Sequence, residues 1–433
     1  MTGRRDVMAG AGLGALAGLV GGGAVGAGPA AAAEGSLMLG TASGGDGASG
    51  AFDNLSGLGI PSVRDFGAVG DDATDDLPAF RAAIAHALET TKGNWREDHA
   101  ANTPIYVPPG RYYLSGGLDI GQVCLIGLGD ARLRTDMREG VFLDHSVERH
   151  KQTYYDAPPV LWNLSVGGPG RGADNRLVGL RVGRAGGTFQ NVTLAGFRHA
   201  VETERYAYTV HFDHCKMAGN HVGLMWPRLF GAAGENITLF RSTLSNNEIG
   251  MVLNHTRDED GDGVGDGAGG GPGIHLIACS FDYNTERLIE IVRPGEYAND
   301  VFFTPVFLAC HFETNHETTG RDTVRILAGG GARFMGCTFW DDQGATILHA
   351  ERDGVLIGNH FAVPGDGPYC TGDIQAYGNT QRYGGQVVVA PGTADLRPGP
   401  PVDYSRARDI DQLTTDLNAL IAALHQSGAV RRP

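Results

Sequence analysis

The sequence predicts an all-β solenoid of stacked coils, with a helix capping its N-terminal end and another helix following its C-terminal end. Three observations lead there. Glycine supplies 68 of the 433 residues, about twice its usual share, as expected for a chain rich in tight turns. A short β-patterned unit recurs from about residue 187 onward with no helical pattern between copies. Within that unit, the same residue types return at the same offsets.

In chain order, residues 1–33 come first. They carry Arg4 and Arg5, a weakly apolar Gly/Ala/Leu run and an Ala-x-Ala site near Ala33. Paired arginines ahead of a mildly hydrophobic segment resemble a bacterial twin-arginine (Tat-type) signal peptide, so periplasmic or extracellular export is expected. No other stretch is apolar enough to span a membrane. Residues 34–60 are Gly/Ser/Ala-rich and read as a linker. The solenoid is expected over residues 61–395.

It opens on VRDFGAVGDDATDDLPAFRAAIAHAL. Leu77, Phe80, Ile84 and Leu88 form an apolar stripe at helical spacing. Thr74 is the expected cap, and Asp75 and Asp76 are expected in the first turn, where carboxylates complement the helix dipole. Asp71 and Asp72 fall in a Gly-flanked turn. The acidic cluster thus reads as the start of the fold rather than as a site. Such a helix covers the open end of a solenoid, which otherwise exposes core and strand edges.

The repeat runs NVTLAGF, DHCKMAGN, FRSTLSNN, LIACSFDYN, FLACHFETN, FMGCTFWDD, IGNHFAVPG. Its large apolar anchors are Leu194, Met217, Leu244, Phe281, Phe312, Phe339 and Phe361, separated by 23, 27, 37, 31, 27 and 22 residues. A variable period of 20–50 residues fits coils with one loop free to change length better than propeller blades. Cys215, Ser242, Cys279, Cys310 and Cys337 stand two residues before the anchor and share its inward face. Buried thiols are expected there, although the roughly 4.8 Å between coils leaves a bridge open. Three residues after the anchor come Asn220, Asn247, Asn284 and Asn315, then Asp342. Asn suits a left-handed corner, and stacked amides can bond from coil to coil.

The Asn ladder, the inward Cys/Phe stacks and the VRDFGAVGDDATDD…AFRAAI opening together resemble the right-handed parallel β-helix of the pectate-lyase-like superfamily, over roughly residues 61–390. The resemblance implies a polysaccharide substrate, and it implies that the strand following the variable loop flanks the substrate groove. The DPHE motif of alginate epimerases and the NTD/DD/HG/RIK set of polygalacturonases are both missing here. No catalytic residue therefore carries over one by one.

Beyond the solenoid, residues 396–433 hold a Pro-rich connector, LRPGPPVDY, and a heptad-spaced set Ile410, Leu413, Leu417, Leu420 and Leu424. This second helix is expected to dock on the body or on a partner subunit, giving a homo-oligomer.

Two constellations point to chemistry. Asp282 and Glu313 share a register in adjacent coils, so their carboxyls would lie about 5 Å apart, the separation of acid and nucleophile in retaining glycoside hydrolysis. His311 and Trp340 lie outward beside them, as does Lys216, with Trp340 and Lys216 available to hold a sugar chain. On the other strand, alternation exposes His211, His275 and Arg333. One of these can remove a proton while a cation neutralises a uronate, as β-elimination requires. Lyase and hydrolase both stay open. So do a non-catalytic carbohydrate-binding or surface-assembly protein and a polysaccharide C5-epimerase.

The stretch HTRDEDGDGVGDG sets Asp258, Asp260, Asp262 and Asp266 around Gly263 in a D-x-D-x-D-G-x-x-D pattern. Alternate carboxylates about a Gly bend suit Ca²⁺. The alternative is an acidic insertion that lengthens this coil to 37 residues. The net charge of −15 argues against a nucleic-acid partner, since phosphate contacts need a basic face.

Overall fold

The computed structural model describes residues 60–91, 103–121, 123–146, 159–183, 186–204, 207, 209–226, 236–253, 273–291, 305–314, 324–329, 331–342, 346–364 and 369–382. All of them belong to the unit Ser49–Pro433. Every strand pairing among them is parallel, and each strand pairs with the equivalent strand one coil away. One coil shows the pattern. Val210–Asp213 lies in a first sheet, Lys216–Ala218 in a second and Val222–Trp226 in a third. The next coil repeats it with Ile237–Phe240, Thr243–Ser245 and Ile249–Leu253 in register. This is a parallel β-helix, as the repeat predicts.

The anchors pair in the expected order, from Leu194 with Met217 through to Phe339 with Phe361. All are buried. Stacking of like on like brings the rings of Phe281, Phe312, Phe339 and Phe361 to centroid separations of 5.1, 4.9 and 4.7 Å. Burying each phenyl ring stabilises the core by about 1.5–3 kcal/mol.

The thiol column is inward and free of disulfides. Cys215, Cys279, Cys310 and Cys337 each donate to a carbonyl on the first sheet, at 3.2–3.3 Å. Burial pushes the Cys215 thiol up to about 12, so the column is inert packing. At its far end the column turns from sulfur to amide. Asn359 Nδ2 donates to Asn379 Oδ1 at 2.9 Å, and Asn359 Oδ1 accepts from the Cys337 amide.

The expected Asn ladder is present over three coils. Asn220 Nδ2 donates to Asn247 Oδ1 and Asn247 Nδ2 to Asn284 Oδ1, both at 3.1 Å. Its conformational reason differs from the expected one. The left-handed residue is the one before each Asn, namely Gly219, Asn246 and Tyr283. The Asn amides are instead buried and spent on their neighbours. Asn315 lies outside the described residues, and Asp342 is exposed. In that coil Asp341 takes the inward position, opposite Thr314. Arg325 and Asp341, both fully buried, form an ion pair at 2.9 Å, and the Thr314 hydroxyl donates to the same carboxylate.

At the N-terminal end, the helix Leu77–Thr91 buries Leu77, Phe80, Ala83 and Ala87 and packs on the first coils. It starts two residues beyond the position a Thr74 cap would give. Thr74 bonds instead to Asp71, through N at 2.7 Å and Oγ1 at 2.9 Å. Asp71–Asp75 forms a strand. Asp75 accepts from the Leu77 amide and from Ser115, while buried Asp76 clasps the Val69 and Gly70 amides. The acidic cluster therefore builds the cap, with different assignments from those expected. Coiling also starts earlier than the repeat signalled, with Thr103–Val107 already paired to Val123–Gly127.

Among the described residues this is the one α-helix, and no helix is long and apolar enough to cross a membrane. The C-terminal heptad segment, the signal and linker segments and the Asp258–Asp266 loop lie outside the described residues.

Candidate functional site

The second sheet carries the site. Its strands alternate strictly, so Phe281 and Phe312 point inward while their neighbours point out. In register across three coils stand Asp282, Glu313 and Trp340. The neighbouring outward column holds Ser280, His311 and Thr338. One ligand-capable atom from each of Asp282, His311 and Glu313 lies within 4.8 Å of the others.

The two carboxylates sit in different surroundings. Ser280 donates its hydroxyl to both oxygens of Asp282, at 2.7 and 2.9 Å. Even so, burial dominates and pushes the Asp282 carboxyl above its ordinary value, with the Glu313 charge adding to the rise and His311 opposing it. Glu313 Oε1 accepts from the Tyr283 hydroxyl at 2.6 Å, and His311 Nε2 lies 3.2 Å from Oε2. That bond holds the Tyr283 phenol up at about 12. Tyr283 occupies a left-handed corner at φ 55°, where its equivalents are Gly219 and Asn246. A bulky side chain in that conformation carries backbone strain and marks a position of interest. The sequence reading passed over Tyr283 and Ser280. The signal for Tyr283 was available, as an aromatic at a repeat position held by Gly219 and Asn246 in the two preceding coils.

The remaining expected residues are placed as follows. Trp340 is 45% exposed and lies one coil beyond Glu313. Lys216 is exposed in the His311 column but three coils away, with Thr243 and Ser280 between. His211, His275 and Arg333 do share one outward column of the first sheet, but Thr238 and Val306 separate them. Neighbours in this set are therefore two coils apart, about 10 Å at the usual strand spacing, and His211 and Arg333 are four. Burial lowers the His211 imidazole below its ordinary value. The structure thus gathers the acidic constellation with His311 and leaves the His/Arg constellation dispersed. On the third sheet, Arg181 lies 2.9 Å from Glu204 and 3.9 Å from Asp144, which ties those carboxylates to a cation already present.

Residues 60–141 match the family described as rhamnogalacturonase A/epimerase, pectate lyase-like. The match lies at the N-terminal end of the parallel β-helix and covers 82 of the 433 residues. A stretch of 85 residues, 20% of this chain, is 34% identical to mannuronan C5-epimerase AlgE3 of Azotobacter vinelandii, of whose length it spans 4%. Among solved structures, it is similar to PfbA, a surface adhesin of Streptococcus pneumoniae. That likeness has a TM-score of 0.48 and 13% identity over 81% of this chain and 96% of that one. It is also similar to ORF18 of Geobacillus virus E2, with a TM-score of 0.45 and 14% identity over 81% of this chain and 63% of that one.

Proposed function

We propose that the protein hydrolyses a glycosidic bond of a polysaccharide at the Asp282–Glu313 pair. One observation carries the reading: two outward carboxylates face each other across adjacent coils in unlike environments. Asp282, raised by burial, suits the general acid that protonates the leaving oxygen. Glu313, with Tyr283 and His311 aimed at its two oxygens, suits the nucleophile. Their closeness fits retention of anomeric configuration, since inverting enzymes leave about 6.5–9.5 Å for a water. Trp340 offers a flat apolar face to the adjoining sugar ring. The local likeness to a mannuronan epimerase supports the polysaccharide class, with uronate-containing chains first in line.

The test is incubation with a panel of neutral and uronate-containing polysaccharides. New reducing ends with retained configuration by NMR are expected. The ultraviolet band of an unsaturated uronate would replace hydrolysis with elimination, and C5 inversion without cleavage would make the protein an epimerase. Binding without any product would leave a carbohydrate-binding β-helix. On the proposed reading the substrate is met outside the cytoplasm, so protein recovered from the medium should begin near Glu34.

We further propose that Asp258, Asp260, Asp262 and Asp266 hold Ca²⁺, on the strength of their alternating spacing about Gly263. Purified protein should contain about one calcium per chain and lose thermal stability on chelation. Unchanged metal content and melting temperature after chelation would reject the site.

A further inference from the structure

The outer face of the first sheet carries a feature that the candidate site does not use. One outward column runs Asp213, Phe240, Ile277, Leu308, Met335, Ile357, Tyr377, each in register with the next. After Asp213, six successive coils present an apolar side chain outward. Their strand neighbours Leu239, Leu276, Phe307, Phe334 and Leu356 are the buried core residues, whereas the six in the column keep partial exposure. Val306 and Val355 widen the stripe in the adjoining column. Arg241 lies over the Phe240 ring at 4.6 Å, and the five side chains from Ile277 to Tyr377 continue the stripe as a contiguous apolar surface of the kind that marks an interaction site.

We infer that the C-terminal segment 410–424 of the same chain lies along this stripe as an amphipathic helix. Length supports this: fifteen helical residues span about 22 Å, and five coil steps from Phe240 to Tyr377 span about 24 Å. The apolar positions Ile410, Leu413, Leu417, Leu420 and Leu424 recur on one helical face and supply the matching edge. Reach supports it as well. The described chain ends at Arg382, which bonds to the Phe361 carbonyl in the coil next to Tyr377. The 27 residues before Ile410 extend to about 80 Å at the rise of a Pro-rich connector, more than enough to turn back along the face. Charge is complementary, with Asp411 and Asp416 in the segment and exposed Arg333 beside the stripe. Tethering gives the segment a high effective concentration that a second copy lacks.

Hydroxyl-radical footprinting of the full-length protein tests this, with Met335 and Phe240 as reporters. In Leu413→Asp/Leu420→Asp, Met335 and Phe240 should label severalfold faster than in the wild type, while Asn418→Ala leaves them unchanged. Unchanged labelling in the double variant overturns the proposal. So does protection that depends on protein concentration with a dimeric mass, because a second copy would then be the cover. If the double variant does not fold, Leu308→Cys/Leu417→Cys in the otherwise native chain decides. An intrachain disulfide on mild oxidation is expected, and an interchain one or none defeats the assignment.

Discussion

Asp282→Asn will cut polysaccharide hydrolysis by about 10²- to 10⁴-fold, the usual contribution of a general acid, and will leave the protein folded and somewhat more stable at pH above the folded value of Asp282. The activity loss follows because an amide cannot protonate a leaving oxygen. The stability gain follows from linkage. Burial raises the folded carboxyl above its unfolded value. Its contribution is therefore favourable below the unfolded value and is lost as pH rises through the folded one. Above the folded value the ionised side chain is a cost that Asn removes. The same shift fixes the alkaline limb of kcat/KM, which falls as Asp282 deprotonates. His311 opposes the rise, so His311→Ala should move that limb to higher pH. Kinetics across pH together with urea melts separate this from a packing role, which would lower stability and activity together. Full activity in Asp282→Asn would dismiss the catalytic assignment.

Arg325→Leu will destabilise the fold by about 3–5 kcal/mol, the cost of leaving a buried charge without its partner. The partner is Asp341, fully buried with Arg325 and reached by Arg325 Nε at 2.9 Å. Arg325 also sits in the backbone ladder, since its carbonyl accepts from the Leu288 amide at 2.9 Å. The double variant Arg325→Leu/Asp341→Leu removes both charges and should recover much of the loss, because apolar replacement of a buried pair is often neutral or better. Denaturant midpoints at constant slope measure both effects. Equal destabilisation in the single and double variants would show that the pair is not the source.

These two predictions rest on features that the sequence showed unequally. The Asp282–Glu313 register was legible because Phe281 and Phe312 fix the phase of both strands, and period two then dictates what faces outward. The Arg325–Asp341 pair was not, since ion pairing across a variable loop leaves no periodic trace. The coils before residue 187 fall within the expected span 61–395, but their strands could not be assigned one by one, because they lack the aligned Cys and Asn columns that mark later ones. Their cores, such as Leu125 against Leu161, are ordinary aliphatics. The helix start was misjudged because four aspartates compete for a few amide donors, and only the fold decides that Asp75 and Asp76 bond to Leu77, Val69 and Gly70 rather than extend the helix.

In-register stacking has a consequence for any ligand lying along the solenoid axis. The step from Cys to Asn is five residues in the coils of Cys215, Ser242 and Cys279, so changes in chain length are pushed into the loops. Each outward column is then a ruler with a tick of about 4.8 Å. A loop can grow by ten residues, as between Met217–Leu244 and Leu244–Phe281, without moving a single tick. An extended polymer with a regular repeat would meet side chains at whole multiples of that interval. Changing which coil carries a given group would change the repeat the protein can measure, at no cost to the core behind it.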